Sequence, residues 1–502
     1  MTIKKFQKAW TKKDVGRSIG FFFLHFFIFI ILAGLVLLGG KMSDLGSYMK
    51  EKGADYLYAL FCILLVVTIA YCYFFFEDRE MLSNGKNIAL IFTVLDVYFL
   101  LAWFIGGKIG LYARPVALVP LLFLLLVGRK DAIFMTVIAS LLMFILDTFT
   151  GSDTHTSLEY FSSLIISFSA GMFAIFLCNR AKTRFKVILV GILIVFPIDL
   201  VVFLLDLPKL INNNGVVGWS VWQGILKDMG YGVFGGVMST VIFLAILPMF
   251  EGIFNCLTMF RLRELTSSDA KILKKLKEDA PGTYNHAMMV AQLAEASAAA
   301  IGENPDYARA AALYHDVGKL HNPEHFTENQ GGYNVHDELS PELSADIIRS
   351  HAKDGYNLIR NHHLPEFLAD VALQHHGTMP IRYFYAKALK LTDAELNIED
   401  FSYLGPKPQT KVAAVVMIAD ASEAAVRAVN ARTPEAAEKA IRSVIEERMD
   451  LEQFSECDIT LGDLTKIRGA LVNTLTGVYH HRIKYPNIKY KHTDKGTKGE
   501  NV

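Results

Sequence analysis

At 502 residues the chain is long enough for more than one structural unit, and 52% of it is hydrophobic. Fifty Lys and Arg balance fifty Asp and Glu, and this formal net charge of zero argues against bulk nucleic-acid binding as the main task. The five cysteines (Cys62, Cys72, Cys178, Cys256 and Cys457) are scattered without paired spacing, which supports neither a disulfide framework nor a zinc ribbon.

The apolar content is concentrated before residue 252. After a basic N-terminus (1–18, with Lys4, Lys5, Lys8, Lys12, Lys13 and Arg17), eight apolar segments follow at 19–40, 54–76, 87–106, 109–127, 132–149, 158–178, 185–205 and 229–250. Most approach the roughly 20 residues that cross a bilayer, so 19–252 is expected to be a polytopic helical bundle of about eight spans in a lipid bilayer. The first run is long and lacks a small-residue cleavage site, as a retained signal anchor would. With the N-terminus inside, Arg79/Lys86, Arg129/Lys130 and the run Arg180, Lys182, Arg184, Lys186 all fall in the cytoplasm, which satisfies the positive-inside rule. An even number of spans then returns the chain to the cytoplasm near Arg261 and Arg263. Asp96, Asp199 and Arg114 lie within apolar runs, where ionisable groups face a bundle interior and either pair between helices or serve a pathway. Pro197 is expected to kink its helix. The segment 212–228, with Trp219 and Trp222, reads as interfacial.

The second half is charged and helical by periodicity. Residues 253–280 form a connector, 281–486 an all-α domain, and 487–502 a polar tail. Helices are expected at 286–301, 342–353, 366–376, 410–430, 434–449 and 463–480. The chemistry is organised around His315-Asp316, near the end of the helical run 307–314, with Gly318 and Lys319 just beyond. On its own such a pair means little. However, His286, His351 and His375 follow apolar residues at helical spacing and point inward, and His376 lies about 100° further round. Asp420 directly follows the apolar run Val412–Ala419, where an unpaired charge would be costly. Five His and two Asp converging from separate helices suit divalent ions such as Mn or Fe. Their number suggests two ions, with Asp316 bridging. His286, His315 and Asp420 would complete one, and His351, His375 and His376 the other. Such a pair would hydrolyse a phosphate ester. Lys319 would neutralise a phosphate oxygen or remain a solvated surface lysine. His336-Asp337, His362-His363 and His480-His481 read as loop or helix-end residues.

The series His286, His315-Asp316, His351, His375-His376, Asp420 resembles the HD phosphohydrolase superfamily in its two-metal variant. The stretches Glu278–His286, Tyr314–Lys319, Leu339–Ser344, Ser350–Gly355, Gln374–Thr378, Tyr383–Tyr385, Gly405–Gln409 and Tyr479–Ile483 bring it closer to the PgpH-type membrane receptors, which carry seven helices and a C-terminal HD domain. The resemblance covers roughly residues 255–486. It implies a cytoplasmic HD domain on a cell-membrane anchor that cuts cyclic di-AMP to pApA with a pair of Fe or Mn ions. Tyr383 and Tyr385 would then stack on adenine. About a dozen residues (Lys41 to Gly53) separate the first two runs where the family has a large external domain, so that sensor domain is expected to be absent. A cyclic di-GMP hydrolase would carry Gly-Tyr-Pro after its paired histidines, whereas His376 is followed by Gly377-Thr378-Met379-Pro380. An HD-type ribonuclease lacks support because no nucleic-acid-binding module accompanies the helices. A receptor that binds nucleotide without cleaving it would not need the full donor set. The oligomeric state, including a homo-oligomer, is left open.

Overall fold

The computed structural model describes residues 12–37, 45–150, 157–179, 181, 183–211, 218–392, 395–429 and 433–478. Lys4, Lys5, Lys8, Lys41, Arg180, Lys182, His480-His481 and the 487–502 tail lie outside them. Among the described residues, seven helices are long and apolar enough to cross a membrane, against the eight spans expected. They are α1 (Lys12–Leu37), α2 (Leu45–Glu77), α4 (Gly85–Lys108), α6 (Arg129–Thr150), α7 (Ser157–Cys178), α8 and α9 taken together (Arg184–Leu193 and Val195–Ile211), and α10 (Trp219–Phe254); a short α3 (Arg79–Ser83) links α2 to α4. The break between α8 and α9 falls at Ile194, beside the carbonyl that the ring of Pro197 would strike. Of the segment 212–228 read as interfacial, residues 212–217 lie outside the described residues, and Trp219 onward forms the start of α10, continuous with the last span.

The missing span is a finding about residues 109–127. Arg114, which precedes Pro115, is extended (φ −65°, ψ 145°), as residues before proline prefer. The helix that follows, α5 (Leu118–Leu126), has only nine residues, about 13 Å at 1.5 Å per residue. Even so, the chain traverses the bundle here. The start of α6 lies beside the end of α2, where Lys130 pairs with Glu77 and the Tyr73 hydroxyl donates to Asp131 (3.3 Å). Arg114 pairs with Asp147 near the far end of α6 (2.7 Å). Residues 115–128 therefore run back along α6, partly extended and partly helical. Irregular backbone at that depth survives only where protein covers it, and residues 113–124 are all buried. Gly235 of α10 makes the room, because a Cβ there would lie 2.6 Å from the Tyr112 carbonyl oxygen and 2.8 Å from that of Arg114. Arg114 thus finds an ion-pair partner within the bundle. Asp96 Oδ1 and Asp199 Oδ1 find no hydrogen-bond partner among the described residues.

The bundle and the C-terminal domain meet at α11 (Met259–Leu265), capped by the Thr258 hydroxyl. Phe260 belongs to the core of the bundle, whereas Leu262 and Leu265 belong to the core of the C-terminal domain. Arg261 Nη1 donates to the carbonyls of Glu251 (2.6 Å) and Cys256 (3.0 Å), tying α11 back to the end of α10. Arg184 at the head of α8 pairs with Glu264 (2.5 Å).

The domain itself consists of α12 (Lys271–Asp279), α13 (Pro281–Ile301), α14 (Pro305–Tyr314), α15 (Pro341–Asn361), α16 (Glu366–Gln374), α17 (Arg382–Ala388), α18 (Lys411–Ala428), α19 (Pro434–Asp450) and α20 (Leu461–Val478). No β-strand occurs among the described residues, only an isolated bridge between Pro380 and Ser402. Helix starts follow the caps written in the sequence, since Ser340 accepts from Leu343 N and Thr410 from Ala413 N. The helix expected at 342–353 runs on to Asn361 and ends where His363 turns to φ +53°. α13, rich in alanine, packs against α14, α18 and α20, and the very apolar α18 is buried along most of its length. The buried Tyr314 hydroxyl donates to the Leu265 carbonyl (3.0 Å), joining α14 to α11 one residue before His315. Tyr314→Phe should cost about 1 kcal/mol, the usual net worth of such a bond. Thermal unfolding of the purified chain would check it, as a drop in midpoint of about 2–4 °C.

Candidate metal centre

Each donor enters from its own helix or helix end: His286 from α13, His315 and Asp316 from the end of α14, His351 from α15, His375 and His376 from the end of α16, and Asp420 from α18. Their ligating atoms gather into two groups, one of Asp316, His351, His375 and His376 and the other of His286, His315 and Asp420. Within each group these atoms lie within 4.8 Å of one another. Asp316 stands between the groups. Its Oδ2 lies 3.3 Å from His315 Nε2 and 3.7 Å from His286 Nε2, and its Oδ1 lies 3.4 Å from His351 Nε2 and 3.6 Å from His375 Nε2.

The ring nitrogens facing away from the site fix the tautomers. His315 Nδ1 donates to the Ala312 carbonyl (2.7 Å), His375 Nδ1 to that of Ala372 (2.8 Å) and His351 Nδ1 to that of Ile348. A carbonyl can only accept, so Nδ1 is the protonated nitrogen of each neutral ring and Nε2 is the one that faces inward as the available ligand atom. His351 Nε2 and His375 Nε2 then lie 3.2 Å apart, two acceptors turned toward each other. His315 Nε2 and Asp316 Oδ1 are buried without a hydrogen-bond partner. Two ring nitrogens facing each other and two buried polar atoms without a hydrogen-bond partner suit a cation, and the donor set could hold metal.

The two groups differ electrostatically. Burial favours neutral imidazole at His286, His315, His351 and His376. At His286 the bonded carboxylates of Asp420 (3.0 Å) and Glu423 (2.9 Å) outweigh burial and push the ring up to about 9. At His315, Asp316 and Asp420 do the same, to about 10. His351 follows burial down to about 3, and His376 is also driven well below its ordinary value. At neutral pH, without metal, His286 and His315 therefore carry an extra proton while His351 and His376 do not. Metal entering the first group must displace protons, so apparent affinity should rise with pH between about 6.5 and 9, by about tenfold per unit for each proton displaced. The sign is that of raised pKa values: the His–carboxylate attraction stabilises the metal-free fold below 6.5 and is lost as pH climbs through 9 to 10. Calorimetric Mn²⁺ titrations in buffers of differing ionisation enthalpy would count the released protons.

Lys319 is neither mobile nor solvated. Its Nζ lies 2.8 Å from Asp316 Oδ2 and 2.8 Å from Glu328 Oε1, and these carboxylates outweigh burial in holding its charge. Glu328 in turn accepts from the Thr283 hydroxyl at the head of α13 (3.1 Å). Tyr383 is 66% exposed on α17. The Tyr385 ring packs edge-on against Phe401 and its hydroxyl donates to the Leu396 carbonyl (3.3 Å), so it is engaged in a small core of its own. Tyr403, absent from the sequence reading, is an aromatic side chain beside the donors and stacks on His376 at 4.2 Å. Backbone bonds from Ile381 N to Phe401 O and from Tyr403 N to Met379 O hold it there. His336 is buried and bonded to the His325 carbonyl, and His362 caps the end of its own helix.

Residues 283–425 match the HD domain family, and residues 54–258 match the family described as 7TM receptor with intracellular HD hydrolase. The cyclic-di-AMP phosphodiesterase PgpH of Bacillus subtilis (strain 168) is 36% identical over 441 residues, which is 86% of this chain and 60% of that protein. The PgpH of Listeria monocytogenes serotype 1/2a (strain 10403S) is 36% identical over 482 residues, 91% of this chain and 64% of that one. The chain thus spans less than two thirds of the length of the curated relatives it matches. The crystal structure of the L. monocytogenes PgpH HD domain in complex with cyclic di-AMP is 48% identical, covering 43% of this chain and 99% of that one, with a TM-score of 0.41.

Proposed function

The chain belongs to the family of 7TM receptors with an intracellular HD hydrolase, and from that membership and the donor geometry we propose that it is a membrane-anchored, metal-dependent phosphodiesterase acting on cyclic di-AMP. The observation that carries the reading is Asp316, which offers one oxygen to each of two histidine groups and so is built to bridge. The donor chemistry suits two divalent ions, Mn or Fe. When bound, such ions supply Lewis acidity at phosphorus and ready a water for attack. Water adds at one phosphodiester, the bond to the ribose 3′ oxygen breaks, and linear pApA leaves with its 5′ phosphate. His286, His315, His351, His375, His376 and Asp420 would hold the ions. Lys319, pinned between Asp316 and Glu328, keeps positive charge beside the reacting phosphate. Tyr403 forms a wall of the site, and the exposed ring of Tyr383 is free to meet an adenine.

Two observations support a cytoplasmic catalytic domain, on the side where a second messenger acts. Arg79, Arg129, Lys130 and Arg184 mark one end of the bundle as the basic side. The pairing of Arg184 with Glu264 ties the domain to that same end. Purified full-length chain in lipid nanodiscs, loaded with Mn²⁺, should convert cyclic di-AMP to pApA and leave cyclic di-GMP largely intact, as followed by chromatography. Binding of the nucleotide without cleavage, with metal confirmed present, would sink the enzyme assignment and favour a receptor.

A further inference from the structure

Behind the donors, the structure treats His286 differently from His315, His351 and His375. Three of the rings anchor their outer nitrogen on a carbonyl of their own helix, three residues back. His286 anchors its outer nitrogen on a carboxylate from another helix, Glu423 Oε2 at 2.9 Å. Glu423 lies three residues after Asp420 on α18, so one helical face clasps His286 from both sides, through Nε2 to Asp420 (3.0 Å) and through Nδ1 to Glu423.

A buried carboxylate is expensive unless well partnered, and at 4% exposure Glu423 occupies a place that a leucine would fill at less cost. Its other oxygen lies 3.4 Å from Arg427, a half-exposed side chain at a distance too long to repay burial. The contact that Glu423 makes well is the one to His286. A carboxylate behind a metal-binding imidazole fixes the ring, commits Nε2 as the donor atom and makes that nitrogen a stronger ligand than one backed by a neutral carbonyl.

We propose that Glu423 is a positioning residue for His286, and that through it the His286–His315–Asp420 group holds its ion more tightly than a carbonyl-backed group would. This rests on the two-ion reading of the site. The charge on Glu423 acts on one ion of the pair and not on the other, giving the two halves of the centre separate affinities.

The test uses full-length chain in nanodiscs and Mn²⁺ as the probe, with binding followed by the electron paramagnetic resonance signal of free Mn²⁺ and by metal content after dialysis. Glu423→Gln keeps the shape and the hydrogen bond but removes the charge. It should weaken one of the two ions by about 10–100-fold and leave the other at its wild-type constant. Because Glu423 acts through His286, Glu423→Gln added to His286→Ala should cause no further loss. Wild-type constants for both ions in Glu423→Gln would overturn the proposal, as would equal weakening of both, the mark of a merely structural role. If the wild-type chain binds no more than one ion, the two-ion reading fails first and takes the proposal with it.

Discussion

Asp316→Asn is expected to lower turnover of cyclic di-AMP by roughly a thousandfold or more, the scale on which a single group acting on transition-state charge is felt. The substitution keeps size and shape but leaves one carbonyl oxygen where two equivalent carboxylate oxygens had faced the two histidine groups. An amide cannot offer an anionic oxygen to both groups, and its NH₂ would point a donor at either His315 Nε2 or His351 Nε2, neither of which can accept it while also holding a cation. Metal content should fall along with activity, from two ions toward one or none. The variant should remain folded, because Lys319 retains its bond to Glu328. Metal analysis and pApA release measured on the same preparation check both halves. Normal turnover in this variant would refute a bridging role for Asp316.

Gly318→Ala is expected to destabilise the domain by about 3 kcal/mol, at the upper end of the usual cost of overpacking, and to lower the thermal midpoint by about 2–4 °C for each kcal/mol. A Cβ on Gly318 would lie 1.9 Å from the His351 carbonyl oxygen and 2.5 Å from Gly355 N. Both are backbone atoms of α15, so no side chain can swing aside. Relief requires α15 to move away from the 317–321 turn, and His351 moves with it. Stability and Mn²⁺ binding at the His351 group should therefore fall together. A stable variant that binds less metal, or an unstable one that binds normally when folded, would separate the two effects and count against this account.

Four of the donors were legible because they obey a helical period. His286, His351 and His375 follow apolar residues at spacings that turn them inward, and Asp420 interrupts an apolar run with a charge that must be paired. Glu423 carried the same signal, three residues on along the same buried face, and was missed because it is not itself a ligand. Tyr403 left no trace, since it lies in a loop whose position depends on pairing with residues 379–381 rather than on any local pattern. In the bundle, hydropathy measured how apolar residues 109–127 are but not how they fold. Pro115, Pro120 and Arg114 were the local signs that no full-length helix forms there. Asp147, the partner of Arg114, is a single charge within the apolar segment 132–149 and was not singled out.

The joint at α11 determines where this protein can be cut. Phe260 is mortared into one core, while Leu262 and Leu265, two and five residues later, are mortared into the other. The boundary at residue 281 suggested by the sequence is therefore not a seam. Excision there would strip Leu262, Leu265, Ile272, Leu273 and Leu276 from the domain they help fill and take away the carbonyl that Tyr314 grips. A soluble piece that keeps its donors in register has to begin no later than Thr258, leaving Phe260 as a raw apolar face where the membrane half used to be.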